Sequence, residues 1–425
     1  MPSAPRLSRA AIRLTIVLAL LATLAGCGSG LSSDSDARAE SRHTASLGCP
    51  QTVLATLAGI LQRVYDEGVH SERTASAKHM IEHSVALRRA IEAGDQSAAL
   101  AAAAKLLGTG HMTNLDVRAA GRTLVSVGGA ALTPLHGTIL GASGKPIATY
   151  MTSVWADSGF SAEGSGVAEG LVALRAGGRS IGGTIELPEG PLPARGSLST
   201  GGVAYQYTSF TGRDYPSGRA VQIYLLKPLT AVQELCGASD TDTQLATLKR
   251  VGQLIYDGEK GARTLVQVRR VQGYGPLLAA VARRDAVATR KAVAALLHQH
   301  IVRLRVSAGG RLLADDGGPF VLAPVHAELS LHGRTIGSLV LSIQDDEGYL
   351  RLARRLAGLR VLMFMKGPGG KPRLVKNSLG PKPGRVPANG AYIYRGHSFL
   401  VFTVHGEAFP SGPLTIRVLV PQPYR

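Results

Sequence analysis

The side chains best equipped for chemistry are His79, Glu82 and His83, within the run His79-Met80-Ile81-Glu82-His83. Two imidazoles four positions apart on a helix can share a zinc ion while the carboxylate between them acts as a base, and Glu163 is a candidate distant third ligand. Helical geometry argues against that use. With Ile81 directed at the core, His79 and His83 fall about 160° away, on the solvent side of a helix that turns about 100° per residue. His298-Gln299-His300 is a second histidine group, and packing near the start of a strand accounts for it. A different chemistry is offered by carboxylates with aromatic neighbours. One such group is Trp155, Asp157, Phe160, Tyr205 and Tyr207, and a second is Asp346, Tyr349, Tyr394 and Phe399. A carboxylate framed by aromatic faces suits a small amine or amino acid. The competing expectation is that the aromatics fill the core and the aspartates cap helices, as the adjacent Asp345 and Asp346 would. There is no G-x-S-x-G, phosphate loop or dinucleotide fingerprint, so neither an enzyme nor a cofactor is expected.

The two aromatic groups belong to two copies of one pattern. Gly202 to Gly218 reads GVAYQYTSFTGRDYPSG, and Gly396 to Gly412, 194 positions later, reads GHSFLVFTVHGEAFPSG. Gly212/Gly406, Pro216/Pro410 and Ser217/Ser411 are identical, and Tyr205/Phe399 and Tyr215/Phe409 exchange aromatic for aromatic. Earlier, Asp157/Asp346, Gly159/Gly348 and Phe160/Tyr349 coincide at an offset of 189. A repeat of this length is a whole domain. The zinc-like motif has Arg270 and Tyr274 at about its places in the second copy, so a zinc peptidase is the least favoured function.

Each copy opens with an amphipathic helix, on Val53, Leu57, Ile60, Leu61 and Val64 or on Leu245, Leu248, Val251, Leu254 and Ile255. An Ala-rich helix follows, at 95–107 or 285–297. Period-two segments come next, joined at Gly121 or at Gly309-Gly310 as hairpins. Each copy then continues through a strand, a helix, a strand and two closing strands. This predicts an α+β fold: tandem domains at 49–232 and 233–425, each with a long N-terminal helix and a mainly antiparallel central sheet.

The N-terminus carries Arg6, Arg9 and Arg13 before the apolar run Leu14 to Ala25, which is of signal-peptide length and too short to span a bilayer. It ends in Leu24-Ala25-Gly26-Cys27, which resembles the lipobox of bacterial lipoproteins. That resemblance implies removal of residues 1–26, lipidation of Cys27 and anchoring to the outer face of the membrane. Residues 27–48 are rich in Ser, Gly, Asp and Ala and read as a flexible tether. Cys49 and Cys236 remain as an even pair in an oxidising compartment and are expected to form a disulfide. The net charge of +18 falls to +15 once the three signal arginines are removed. Export and sparse aromatics make nucleic acid an unsuitable partner. The basic stretch 366–385, with no counterpart in the first copy, reads as a mobile loop able to meet lipid or wall polymers.

The element order, carried best by 302–316 (VRLRVSAGGRLLADD) and 337–349 (GSLVLSIQDDEGY), resembles the extracellular Cache sensor family. The resemblance implies PAS-like domains that bind small ligands between sheet and covering loops. Such sensors continue through a membrane helix into a signalling module, and no second apolar span is present here. The aromatic-and-arginine ligand motif of the amino-acid-binding members is also missing. The expected function is therefore a lipid-anchored, sensor-like protein without its own output domain, which binds a small ligand or partners with a separate membrane signalling protein. The alternative is a structural cell-envelope lipoprotein.

Overall fold

The computed structural model describes residues 48–424 except 259, 298–299, 319–320, 367–369 and 410–411. The expected signal segment, Cys27, nearly all of the tether, and His298 with Gln299 lie outside the described residues. The described residues belong to one compact unit. Among them, no helix is long and apolar enough to cross a membrane.

The first half runs through α1 (Cys49–His70), α2 (Glu72–Glu82), α3 (Val85–Ala93) and α4 (Gln96–Leu107). It continues with β1 (Asn114–Ala119), β2 (Arg122–Gly128), β3 (Ala131–Leu132), β4 (Leu135–Leu140), β5 (Pro146–Ser153) and β6 (Trp155–Ala156). Helix α5 (Asp157–Ala168) leads into β7 (Leu171–Ala176), β8 (Arg179–Gly183), β9 (Arg195–Thr200), β10 (Val203–Tyr215) and β11 (Ala220–Pro228). The short α6 (Leu229–Gln233) covers the expected boundary at 232–233.

The second half repeats the order with α7 (Asp240–Gly258), α8 (Ala262–Gln272), α9 (Gly275–Ala282) and α10 (Ala286–Leu296). Its strands are β12 (Arg303–Ala308), β13 (Arg311–Gly317), β14 (Val321–Leu322), β15 (Val325–Leu331), β16 (Arg334–Ser342) and β17 (Gln344–Asp345). After α11 (Asp346–Ala357) come β18 (Arg360–Lys366), β19 (Pro372–Asn377), β20 (Gly390–Tyr394), β21 (His397–Phe409) and β22 (Gly412–Pro421).

Local chemistry sets these limits. Ser71, Ser84 and Asp95 accept from the backbone N–H three residues on and so start α2, α3 and α4. The hairpin between β12 and β13 turns on Gly309 and Gly310, with φ of 55° and 74°, a pair of positive angles that two-residue hairpins demand. The fold is α+β with antiparallel pairing throughout. The central sheet expected in each domain is two sheets. A four-stranded sheet, β2-β1-β5-β4, is followed by a seven-stranded one, β6-β3-β10-β11-β7-β8 with β9 on β10, and the second half has the equivalent pair. The split arises because β3 and β6, two residues each, leave the first sheet, and β3 pairs with the end of β10 (Asp214 opposite Leu132).

Three interiors result in each half. The four-stranded sheet of the first half packs on α2–α4 around Ile81, Leu87, Leu115, Val117 and Ile139, and that of the second half packs on α8–α10 around Val271, Leu277, Leu304, Val306 and Leu329. One face of each seven-stranded sheet contributes to a core common to both halves, built on Ile60, Leu61 and Val64 of α1 and Leu248 and Val251 of α7. Helix α1 packs on α7 and α11, and α7 packs on α1 and α5, a reciprocal arrangement of the two copies. The other sheet faces hold separate small cores, around Tyr207, Tyr224 and Leu226 and around Leu362, Phe399 and Leu419. Cys49 and Cys236 lie at disulfide distance, Cα 5.5 Å apart across 187 positions.

The repeated glycines have a physical cause. A Cβ on Gly212 would meet the Tyr65 ring at 2.8 Å, and one on Gly406 the Tyr256 ring at 2.6 Å. Those tyrosines lie over β10 and β21, where their hydroxyls accept from the N–H of Arg213 (2.7 Å) and of Glu407 (2.6 Å). Gly164 plays a comparable part inside α5, where Leu61 would stand 2.4 Å from an added Cβ. Close approach to α1 thus explains a helix that tolerates Gly in its interior.

Candidate functional site

The two expected pocket groups are each divided by their own sheet. Phe160 is fully buried in the common core, edge-on to Tyr65 and Trp155 at ring separations of 6.1 Å. Tyr205 and Tyr207 belong to the opposite face, where Tyr207 packs edge-on to Tyr224 at 5.8 Å. In the second half Tyr349 is fully buried in the common core and donates from its hydroxyl to the Gly252 carbonyl (3.1 Å). Phe399 and Tyr394 lie on the other face, and the Tyr394 hydroxyl donates to the Pro381 carbonyl (2.7 Å). Side chains alternate across a strand, so Asp157 with Phe160 cannot share one cleft with Tyr205 and Tyr207. The same separation parts Asp346 and Tyr349 from Tyr394 and Phe399. Trp155 stands between two cores of the first half. Its indole N–H donates to the Val64 carbonyl (3.0 Å), and the Arg73 guanidinium lies 5.8 Å above its ring.

What remains of each group is the aspartate, and the two aspartates differ. Both are the first residue of a helix, α5 or α11, where the helix dipole favours a negative charge. Asp346 is buried and paired with the Lys376 ammonium at 3.0 Å, and Glu347 joins the same lysine at 3.4 Å. Lys376 lies on β19 opposite Met363. In the first half the corresponding pair is Gly182 opposite Leu174, since Leu174 and Met363 are related by the offset of 189 and both strand pairs carry a register shift at that point. Asp157 therefore faces a glycine where Asp346 faces a lysine. It is 8% exposed, and its Oδ1 has no hydrogen-bond partner. Burial lifts its pKa to about 6, and the nearby Asp214 carboxylate adds to the rise. One turn along α5, the Ser161 hydroxyl is buried and also without a partner.

An open cavity of about 430 Å³ lies along β8 and the residues after it, lined by Ser180, Ile181, Gly182, Gly183, Thr184, Ile185 and Glu186. Gly182 belongs to both features: a Cβ there would stand 3.5 Å from Asp157 Oδ2. The volume is in the range of small-molecule sites. Sequence reasoning found Asp157 through the repeat but missed Gly182 and Lys376, because it treated 366–385 as a mobile loop private to one copy. That reading is corrected for Pro372–Asn377, which is strand β19, with Lys376 held by two carboxylates.

The zinc-like trio is otherwise employed. Glu82 accepts from the Tyr150 hydroxyl (2.7 Å), His83 Nδ1 lies 2.9 Å from the His79 carbonyl oxygen, and both imidazoles are exposed. Glu163 stands with Glu67 around Arg355, at 3.6 and 2.7 Å, tying α1 and α5 to α11. Burial raises the Glu67 carboxyl to about 6, with Arg355 opposing the rise and Glu163 adding to it. Among the described residues, no three His, Cys, Asp or Glu side chains form a metal-holding group.

No protein-family model matches the chain, and no curated protein matches it. Among solved structures, an extracellular ligand binding receptor from Desulfohalobium retbaense DSM5692 is similar over 43% of this chain, at 12% identity and a TM-score of 0.25. The match spans 40% of that receptor's chain, well under half its length.

Proposed function

We propose that this chain is an extracytoplasmic, lipid-anchored protein that binds a small molecule in its first half and reports occupancy to a separate membrane signalling protein. In this reading 49–232 and 233–425 are Cache-like domains and Cys27 carries the lipid. The observation that carries it is Asp157: a buried carboxylate with an unpartnered oxygen, next to a glycine that lines an open cavity. Burying a charge without a partner is costly, and proteins keep such groups where a ligand completes them. The lipobox-like Leu24 to Cys27 and the Cys49–Cys236 pair support the compartment.

A thermal-shift screen of the mature chain against a broad metabolite library tests the proposal. One compound class should raise the melting temperature by several degrees, and should fail to do so in Asp157→Asn. Silence across the library would favour the second reading, a structural envelope lipoprotein. That reading draws on the complete burial of Phe160 and Tyr349, which makes them core residues and not pocket walls.

A further inference from the structure

We propose that the first half binds a primary ammonium group at Asp157, in the place that the Lys376 ammonium takes beside Asp346 in the second half. The inference rests on the ligand-binding reading above and names the ligand's chemistry. The second half contains the solution to a geometric problem that the first half leaves open. Its aspartate, first in α11 and buried, is neutralised by an ammonium delivered from the neighbouring strand. The first half keeps the aspartate, the helix and the strand but replaces the lysine by Gly182, so four methylenes and a charge are missing from that place.

Among the described residues of the first half, the charged group acting on Asp157 is not a cation but Asp214, a second carboxylate, where the second half has Ala408. Ser161, with its free buried hydroxyl, stands where the second half has Leu350. A buried carboxylate on which a second carboxylate acts, beside the glycine that lines the cavity, favours a cation that also donates hydrogen bonds, as an ammonium does with its three N–H groups. The position also has room for the first carbon of a side chain. A Cβ on Gly182 meets only ordinary contacts, 3.5 Å from Asp157 Oδ2 and 3.5 Å from the Leu174 side chain, and its φ is not in the left-handed region. A tethered ammonium could therefore be built there, as it is on β19.

The experiment titrates the full mature chain with propylamine, 1,4-diaminobutane, N-propylacetamide and propanol at constant ionic strength, following heat and melting temperature. Both amines should bind saturably while the neutral analogues stay silent. Gly182→Lys should place its own ammonium on Asp157 and weaken amine binding at least about tenfold, and Asp157→Asn should do the same. Lys376→Gly supplies an independent arm, because it should create a second amine site in the second half. Unchanged amine affinity in Gly182→Lys, or binding of N-propylacetamide as strong as that of propylamine, would overturn the inference. If amines are silent but an uncharged compound binds and is lost in Asp157→Asn, ligand binding stands and the ammonium site falls. If the amines and the whole library are silent, both fall.

Discussion

The two halves of this molecule place an acid at the same point of the same backbone and resolve it in opposite ways. Asp346 has Lys376 at 3.0 Å, while Asp157 has Gly182 and an open cavity. The junction between the two sheets differs in a parallel manner. In the first half the Tyr215 hydroxyl donates to Asp116 Oδ2 (2.7 Å). In the second, Phe409 lies under the guanidinium groups of Arg303 and Arg305, at 5.2 and 4.6 Å, and both arginines pair with Asp315. Positions identical in both copies, such as Gly212/Gly406, answer to packing against an equivalent tyrosine. Positions that differ, such as Gly182/Lys376, are where the chemistry of the two halves diverges.

The largest expected effect concerns a link that the two copies do not repeat. The Cys49–Cys236 bridge ties the start of α1 to the connector across 187 positions. Cys49→Ser with Cys236→Ser should cost about 4–5 kcal/mol, chiefly through the freed unfolded chain. Urea unfolding under oxidising conditions measures it. Reducing agent should lower the melting temperature of the parent chain and leave that of the double variant alone.

Next is Lys376→Met, which leaves Asp346 charged and buried without its partner. The pair is 29% and 7% exposed at the side chains, so solvent screens it partly, and a loss of about 3 kcal/mol is expected. Adding Asp346→Asn should restore most of the loss. The same change in the first half should have the opposite sign. Asp157→Asn is expected to stabilise by about 2–3 kcal/mol at pH 7.5. Its folded-state carboxyl sits at about 6 against an ordinary 3.8, so its contribution is full below about pH 4 and is lost as pH rises through 6. The gain in the variant should therefore grow from near zero at pH 4 to its plateau above pH 7. Equal stability of variant and parent at both ends would show that Asp157 is already compensated.

Much of this was legible in sequence, for identifiable reasons. Ile60, Leu61 and Val64 recur at helical spacing and do face the common core, and Leu115 and Val117 alternate with Asp116 as a strand should. The repeat led to Asp157 and Asp346. The rest depends on pairings remote in sequence. Strands β3 and β6 are too short to carry a period, so the division into two sheets had no sequence signal. The partition of Asp157 from Tyr207 follows from register, because Tyr207 pairs with Leu226 while its neighbour Thr208 pairs with Leu225, which faces the common core. Lys376 went unrecognised as a partner because β19 is preceded by the Lys366–Lys371 stretch that breaks the offset of the two copies. The Glu67–Arg355 ion pair joins residues 288 positions apart in different copies, which no comparison of one copy with the other could reveal.

The smallest expected effect tests whether the sheet junctions are interchangeable. Asp116 and Arg305 occupy equivalent positions on β1 and β12, each opposite the matching residue of the next strand (Ser126 and Asp315). Tyr215→Phe alone should cost about 1.5 kcal/mol, the low end for a hydrogen bond to a charged acceptor, since the ring itself is retained. Asp116→Arg alone should cost a similar amount, because the Tyr215 hydroxyl loses its charged acceptor and keeps the Met151 carbonyl at 3.2 Å. The double variant, however, places an arginine over a phenylalanine as Arg305 lies over Phe409. It should cost about 2–2.5 kcal/mol less than the sum of the singles, because the one Tyr215–Asp116 hydrogen bond is lost once and not twice and a partly exposed cation–π contact adds about 0.5–1 kcal/mol. A denaturant double-mutant cycle reads that coupling directly. A coupling no larger than the about 1.5 kcal/mol of the shared hydrogen bond would mean that Asp315, which holds both Arg303 and Arg305 in the second half and has Ser126 as its counterpart, is what orients the guanidinium groups. Ser126→Asp added to the double variant should then bring the coupling back.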